Sequence, residues 1–164
     1  MQGYNDYQDT VRRWLRYYNQ LKITATNMQE DVVEQERILE LGSSAPISKY
    51  DETPGGGSEL TPTEAAAERA IKIQTKVNET RLNLGEIQRI IKKVDNALEG
   101  LDCESRELVK AHFFDGQSWR DIGYARHYTE RWARKKGNRA IRDMAFMVFG
   151  IRARPEQLSF VFAE

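Results

Sequence analysis

Two apolar seams at alternating three- and four-residue spacing run through the first hundred positions. Val11, Trp14, Tyr18, Leu21, Ala25, Met28, Val32, Gln35 and Leu39 form the first. That spacing gathers its members on one stripe of an α-helix and predicts a helix over about residues 6–42. The second seam, Ala66, Ala70, Ile73, Val77, Thr80, Leu84, Ile87, Ile91, Val94, Leu98 and Leu101, predicts a helix over about residues 61–100, with Pro62 suited to its first position. At ~1.5 Å per residue each helix would extend roughly 50 Å. Residues 43–60 hold Pro46, Pro54 and Gly55-Gly56-Gly57 and read as a flexible loop. Neither seam can stay wet, so the two helices are expected to pair as a long antiparallel hairpin, to associate with another copy, or both.

After Gly100 the pattern shortens to three helices. Asp102 can cap the first, in which Leu108, Val109, Ala111, His112 and Phe113 supply apolar positions up to a stop near Asp115-Gly116. Ser118, followed three residues later by Asp121, can cap the second, with Trp119 and Ile122 on its buried side. Thr129 can cap the third, Glu130–Phe149, whose expected core stripe is Ala133, Ile141, Met144, Ala145 and Val148. The fold class is therefore all-α, with residues 1–100 as the hairpin, 101–150 as a second domain and 151–164 as a tail.

Charge separates these regions. The whole chain has 25 Lys/Arg against 25 Asp/Glu, yet residues 126–142 hold seven basic residues (Arg126, Arg131, Arg134, Lys135, Lys136, Arg139 and Arg142) against the single Glu130. Such density on one helix is what a polyanion-binding surface requires, and Asn138 adds a side chain able to pair with adenine. No apolar run approaches the ~20 residues of a membrane span, and the first residues lack the basic start and apolar core of a signal peptide. One cysteine, Cys103, and two histidines, His112 and His127, exclude an internal disulfide and argue against a metal site. Neither a nucleophile–base pair nor a phosphate loop is evident, so an enzyme is disfavoured and no cofactor is expected.

Ser105-Arg106-Glu107-Leu108-Val109, then Ser118-Trp119-Arg120-Asp121-Ile122-Gly123, then Tyr128-Thr129-Glu130-Arg131-Trp132-Ala133-Arg134-Lys135-Lys136, closing on Arg139-Ala140-Ile141, resemble sigma-70 region 4. Within that superfamily they are most similar to the RinA and ArpU-like late transcription regulators of phages and prophages of Gram-positive bacteria. The resemblance implies a three-helix helix-turn-helix, double-stranded DNA as partner, host RNA polymerase as co-actor and late-gene activation in the bacterial cytoplasm. Carried over by position, Thr129, Glu130 and Arg131 lie at the base-facing end of the last helix. Arg134, Lys135 and Asn138 follow on its groove face, Arg139 is a further DNA-contact candidate on the same helix, and Arg120 lies near phosphates on the supporting helix. The family pattern has leucine and glycine where this chain has Arg126 and His127. Histidine tolerates left-handed backbone, but Arg126 cannot fill a leucine's core site, so either Tyr124 and Ala125 close the gap or the turn is remodelled.

In the tail, Gln157, Leu158, Phe160 and Phe162 are similar in order to the short peptide that binds the bacterial sliding clamp, which would make the clamp a further partner. Two rival readings are a small terminase subunit bound to packaging-site DNA and a helical adaptor whose basic helix meets an acidic protein. In terminases the DNA module commonly precedes the oligomerising helices, the reverse of the order here.

Overall fold

The structure is a computed structural model and describes residues 4–43 and 62–153. The described residues form an all-α structure with no strand among them: α1 (Tyr4–Ser43), α2 (Pro62–Glu99), α3 (Cys103–Phe113), α4 (Trp119–Ala125), α5 (Glu130–Phe149) and a closing 3-10 turn, Gly150–Ala153. Most of the loop expected over residues 43–60 lies outside the described residues. So does the tail motif of Gln157, Leu158, Phe160 and Phe162.

Contacts divide the chain inside the two long helices, between Lys22 and Ile23 and between Ile87 and Gln88, rather than at residues 100 and 101. One compact unit takes the start of α1, the end of α2 and all of α3 to α5, and the other takes residues 23–87.

In the first unit, Val11 and Leu15 of α1, Val94 and Leu98 of α2, and Ile141 and Met144 of α5 belong to one buried cluster. Tyr7 and Trp14 lie against Phe149 with ring centroids 5.0 and 5.5 Å apart. Leu15 is fully buried although it lies off the expected seam, because this part of α1 packs broadly: Tyr7 extends the seam by a turn and Leu15 widens it. Tyr18 stacks on Phe114 at 4.6 Å, and its hydroxyl donates to Asp95 Oδ1. Burial, followed by the Asp95 carboxylate, pushes that phenol above its ordinary range.

The second unit keeps the seam in thinner form. Val32, Val77 and Leu84 are its buried apolar residues among those described, and Arg81 of α2 donates to Glu36 of α1. Ala66 and Ala70, expected on the seam, are exposed. Their methyl groups are too small to favour burial strongly.

Candidate functional site

Three side-chain caps set the short helices. Asp102 Oδ2 accepts the Ser105 N–H at 3.0 Å, Ser118 Oγ accepts the Asp121 N–H at 3.1 Å, and Thr129 Oγ1 accepts the Trp132 N–H at 3.2 Å. Each satisfies an amide that the helix itself cannot pair. The Ser118 hydroxyl also donates back to Asp121 Oδ2 at 2.6 Å.

The turn between α4 and α5 shows how the chain accommodates Arg126-His127. His127 adopts φ 59°, the left-handed conformation expected of it. Tyr124 does not fill a core gap: it is 86% exposed, and Ala125 is exposed as well. Arg126 instead donates to Glu107 Oε2 at 2.8 Å and keeps its half-buried stem against the protein. Arg126, followed by the Cys103 thiol, holds the Glu107 carboxyl below the usual carboxylate range. Tyr128 N–H closes the turn on the Gly123 carbonyl at 2.8 Å, and a Cβ on Gly123 would stand 3.0 Å from the Tyr128 oxygen.

One side of α5 is buried through Ala133, Gly137, Ala140, Ile141, Met144 and Ala145, with Val148 half-buried. Gly137 was not part of the expected stripe. It serves there because the Trp119 indole crosses it so closely that a Cβ would overlap the ring and meet Leu108 Cδ2 at 3.2 Å. Trp119 is held in turn by stacking on His112, with centroids 3.8 Å apart, while the His112 Nδ1–H donates to the Gln117 carbonyl at 2.8 Å. Trp119, expected in the core, is therefore a half-buried clamp between α3 and α5.

The other side of α5 is charged. Of the seven basic residues between 126 and 142, Arg126 is engaged with Glu107, while Lys136 donates to Glu104, lies 4.0 Å from Asp102 and sits 5.3 Å from the Trp132 ring centroid. Arg131, Lys135, Arg139 and Arg142 are exposed and pair with no carboxylate among the described residues. Arg134 is exposed and reaches back one turn to Glu130. Arg120 is exposed on α4. Thr129 is occupied as the α5 cap, so its hydroxyl serves the helix first. Trp132 is half-buried and stacks on Tyr128 at 3.8 Å.

Neither a family model, nor a curated protein, nor a solved structure matches the chain. The chemistry of the site follows from its own residues: a rigidly backed helix whose outward face offers guanidinium and ammonium donors. Among the described residues no three His, Cys, Asp or Glu side chains group to hold a metal ion, and no helix is long and apolar enough to cross a membrane.

Sequence reasoning missed one neighbour of this face. Arg12 of α1, which pairs with Asp9 at 2.7 Å, also donates to Asn138 Oδ1 at 3.3 Å. Asn138 is thus linked to a residue 126 positions away in the chain. The available signal was the width of the apolar stripe at the start of α1, where Tyr7, Val11, Trp14, Leu15 and Tyr18 cover more of the helix than a single seam needs.

Proposed function

We propose that this chain is a DNA-binding transcription regulator, an activator of phage or prophage late genes that acts with host RNA polymerase. In this reading residues 101–150 work as a sigma-70 region 4-like helix-turn-helix, and α1 and α2 form an antiparallel hairpin for self-association or polymerase contact. One observation carries it: the face of α5 opposite its buried stripe presents Arg131, Lys135, Arg139 and Arg142 without carboxylate partners among the described residues. A helix backed by two others and bearing donors on its free face suits insertion into the major groove. In this reading Arg131 and Lys135, towards its N-terminal end, would read base edges, and Arg139, Arg142 and Arg120 would hold phosphates.

Binding rather than bond-making is the mechanism. Several cations neutralising phosphates release counterions, so affinity falls steeply with salt. The test is a footprint of the full-length protein on the phage or prophage genome that encodes it. Protection upstream of a late operon is the expected result. Protection at a packaging site would favour the terminase reading, and absence of protection would overturn DNA recognition in favour of an adaptor.

A further inference from the structure

One arginine of α1 reaches the charged face of α5, and two more lie next to it on α1. Arg12 donates to Asn138 Oδ1 at 3.3 Å, which brings the third turn of α1 against the middle of α5. Arg13 and Arg16 are exposed, and neither pairs with a carboxylate among the described residues. Together with Arg12, Asp9 and Tyr17 they line a shallow hollow on the surface. The carboxylate in this hollow, Asp9, is held by Arg12 at 2.7 Å, so Arg13 and Arg16 leave a local excess of positive charge.

The position of these residues matters more than their number. Asn138 and Arg142 lie one helical turn apart on α5, and Arg12 meets the first of them directly. A duplex taking the free face of α5 into its major groove would carry a phosphate backbone along the groove wall, on the side where α1 lies. Guanidinium groups on a helix fixed by Val11 and Leu15 in the same core as Ile141 and Met144 would meet that backbone at a constant offset. Their planar donors fit phosphate oxygens without reading sequence.

We infer that Arg13 and Arg16, with Arg12 as the link to Asn138, form a second phosphate-binding patch that extends the DNA interface beyond α3 to α5 onto α1. The inference rests on the DNA-binding reading of α5. It means that residues 101–150 alone would bind more weakly than the whole chain, because the patch comes from residues far upstream.

The test uses the full-length protein and a fluorescent mixed-sequence DNA duplex, with anisotropy recorded across a salt series. Removing one cation from a phosphate lowers the slope of log affinity against log salt by about 0.9, so Arg13→Gln with Arg16→Gln should lower it by about 1–2 and weaken binding several-fold at moderate salt. A thermal melt unchanged from the parent is expected, since both side chains are exposed. Lys135→Gln with Arg139→Gln serves as the comparison on α5. An unchanged slope in the α1 variant, beside weakened binding in the α5 variant, would overturn the α1 patch and leave the function standing. The patch is overturned in the same way if the α1 variant keeps its DNA slope but no longer captures RNA polymerase, which would make these arginines a protein-binding surface. Failure of the parent protein to bind the duplex at any salt would remove both readings.

Discussion

In the unit containing α3 to α5, Leu15, Val109, Ile141 and Met144 have essentially no solvent exposure; in the unit of residues 23–87, burial reaches only Val32, Val77 and Leu84 among the described apolar residues, while Leu82 remains 73% exposed. The contrast comes from the number of neighbours available. Five helical segments surround the first core, so each can be covered on a broad face. Two helical segments alone can cover only a stripe of each other, and Ile71, Leu82 and Leu41, off that stripe, stay in water. The second unit also shields the Gln35 Oε1 atom, which accepts no hydrogen bond among the described residues. Burial is thus concentrated in the unit that carries the charged face of α5. The residue 23–87 unit is left with more of its apolar surface in water.

The largest effect should come from emptying the better core. Leu15→Ala is expected to lower unfolding free energy by about 2–5 kcal/mol, with Leu84→Ala at or below the bottom of that range because its surroundings can collapse. Denaturant melts of the two variants check this, and equal losses would break the comparison. Gly137→Ala comes next. Its methyl group would drive into the Trp119 ring, which stacks on His112 and has little room to retreat, at a cost of about 1–3 kcal/mol from overpacking. Replacing glycine with alanine in a helix returns up to ~1 kcal/mol, so a net loss near 1 kcal/mol and a shifted Trp fluorescence are expected. A gain in stability would mean that the clamp is not tight.

Gln35→Leu has the opposite sign. Removing a shielded, unpaired amide oxygen from the seam should raise the stability of the weaker unit by about 1 kcal/mol, visible as greater amide protection in its helices. Unchanged or lower protection would show that Gln35 is satisfied by a partner.

The smallest effect is on acid. Asp102 lies below the ordinary carboxylate range, chiefly through the Ser105 hydroxyl, then the Ser105 backbone amide, with Lys136 adding to it. Glu107 is lowered by Arg126 and then Cys103. Both have folded values depressed relative to the unfolded chain, so their contributions are complete above the ordinary carboxylate range, near pH 4, and are lost as pH falls through the folded values. Asp102→Asn keeps a capping oxygen but not the titration, and should flatten the acid limb of the melting curve slightly. An acid limb identical to the parent's would remove Asp102 from that account.

Much of this was legible in the residues because it is local. The seam residues Val11, Tyr18 and Val32 are buried, Asp102, Ser118 and Thr129 cap as their side chains suggest, and His127 takes the left-handed turn. The hydrogen bond between Arg12 and Asn138 and the crossing of Trp119 over Gly137 were not legible, since each joins helices distant in sequence. The same holds for the charge face. Sequence counts Arg126 and Lys136 with the other basic residues, and only the fold places Glu107 and Glu104 beside them.

The most direct test of the central claim is the salt dependence of DNA binding by the full-length protein and its Lys135→Gln/Arg139→Gln variant. The parent should bind a mixed-sequence duplex with a steep negative slope of log affinity against log salt, and the variant should bind more weakly with a slope smaller by about 1–2. Salt-independent binding by the parent, or an identical slope in the variant with its fold intact, would contradict the assignment of α5 as the DNA-binding helix.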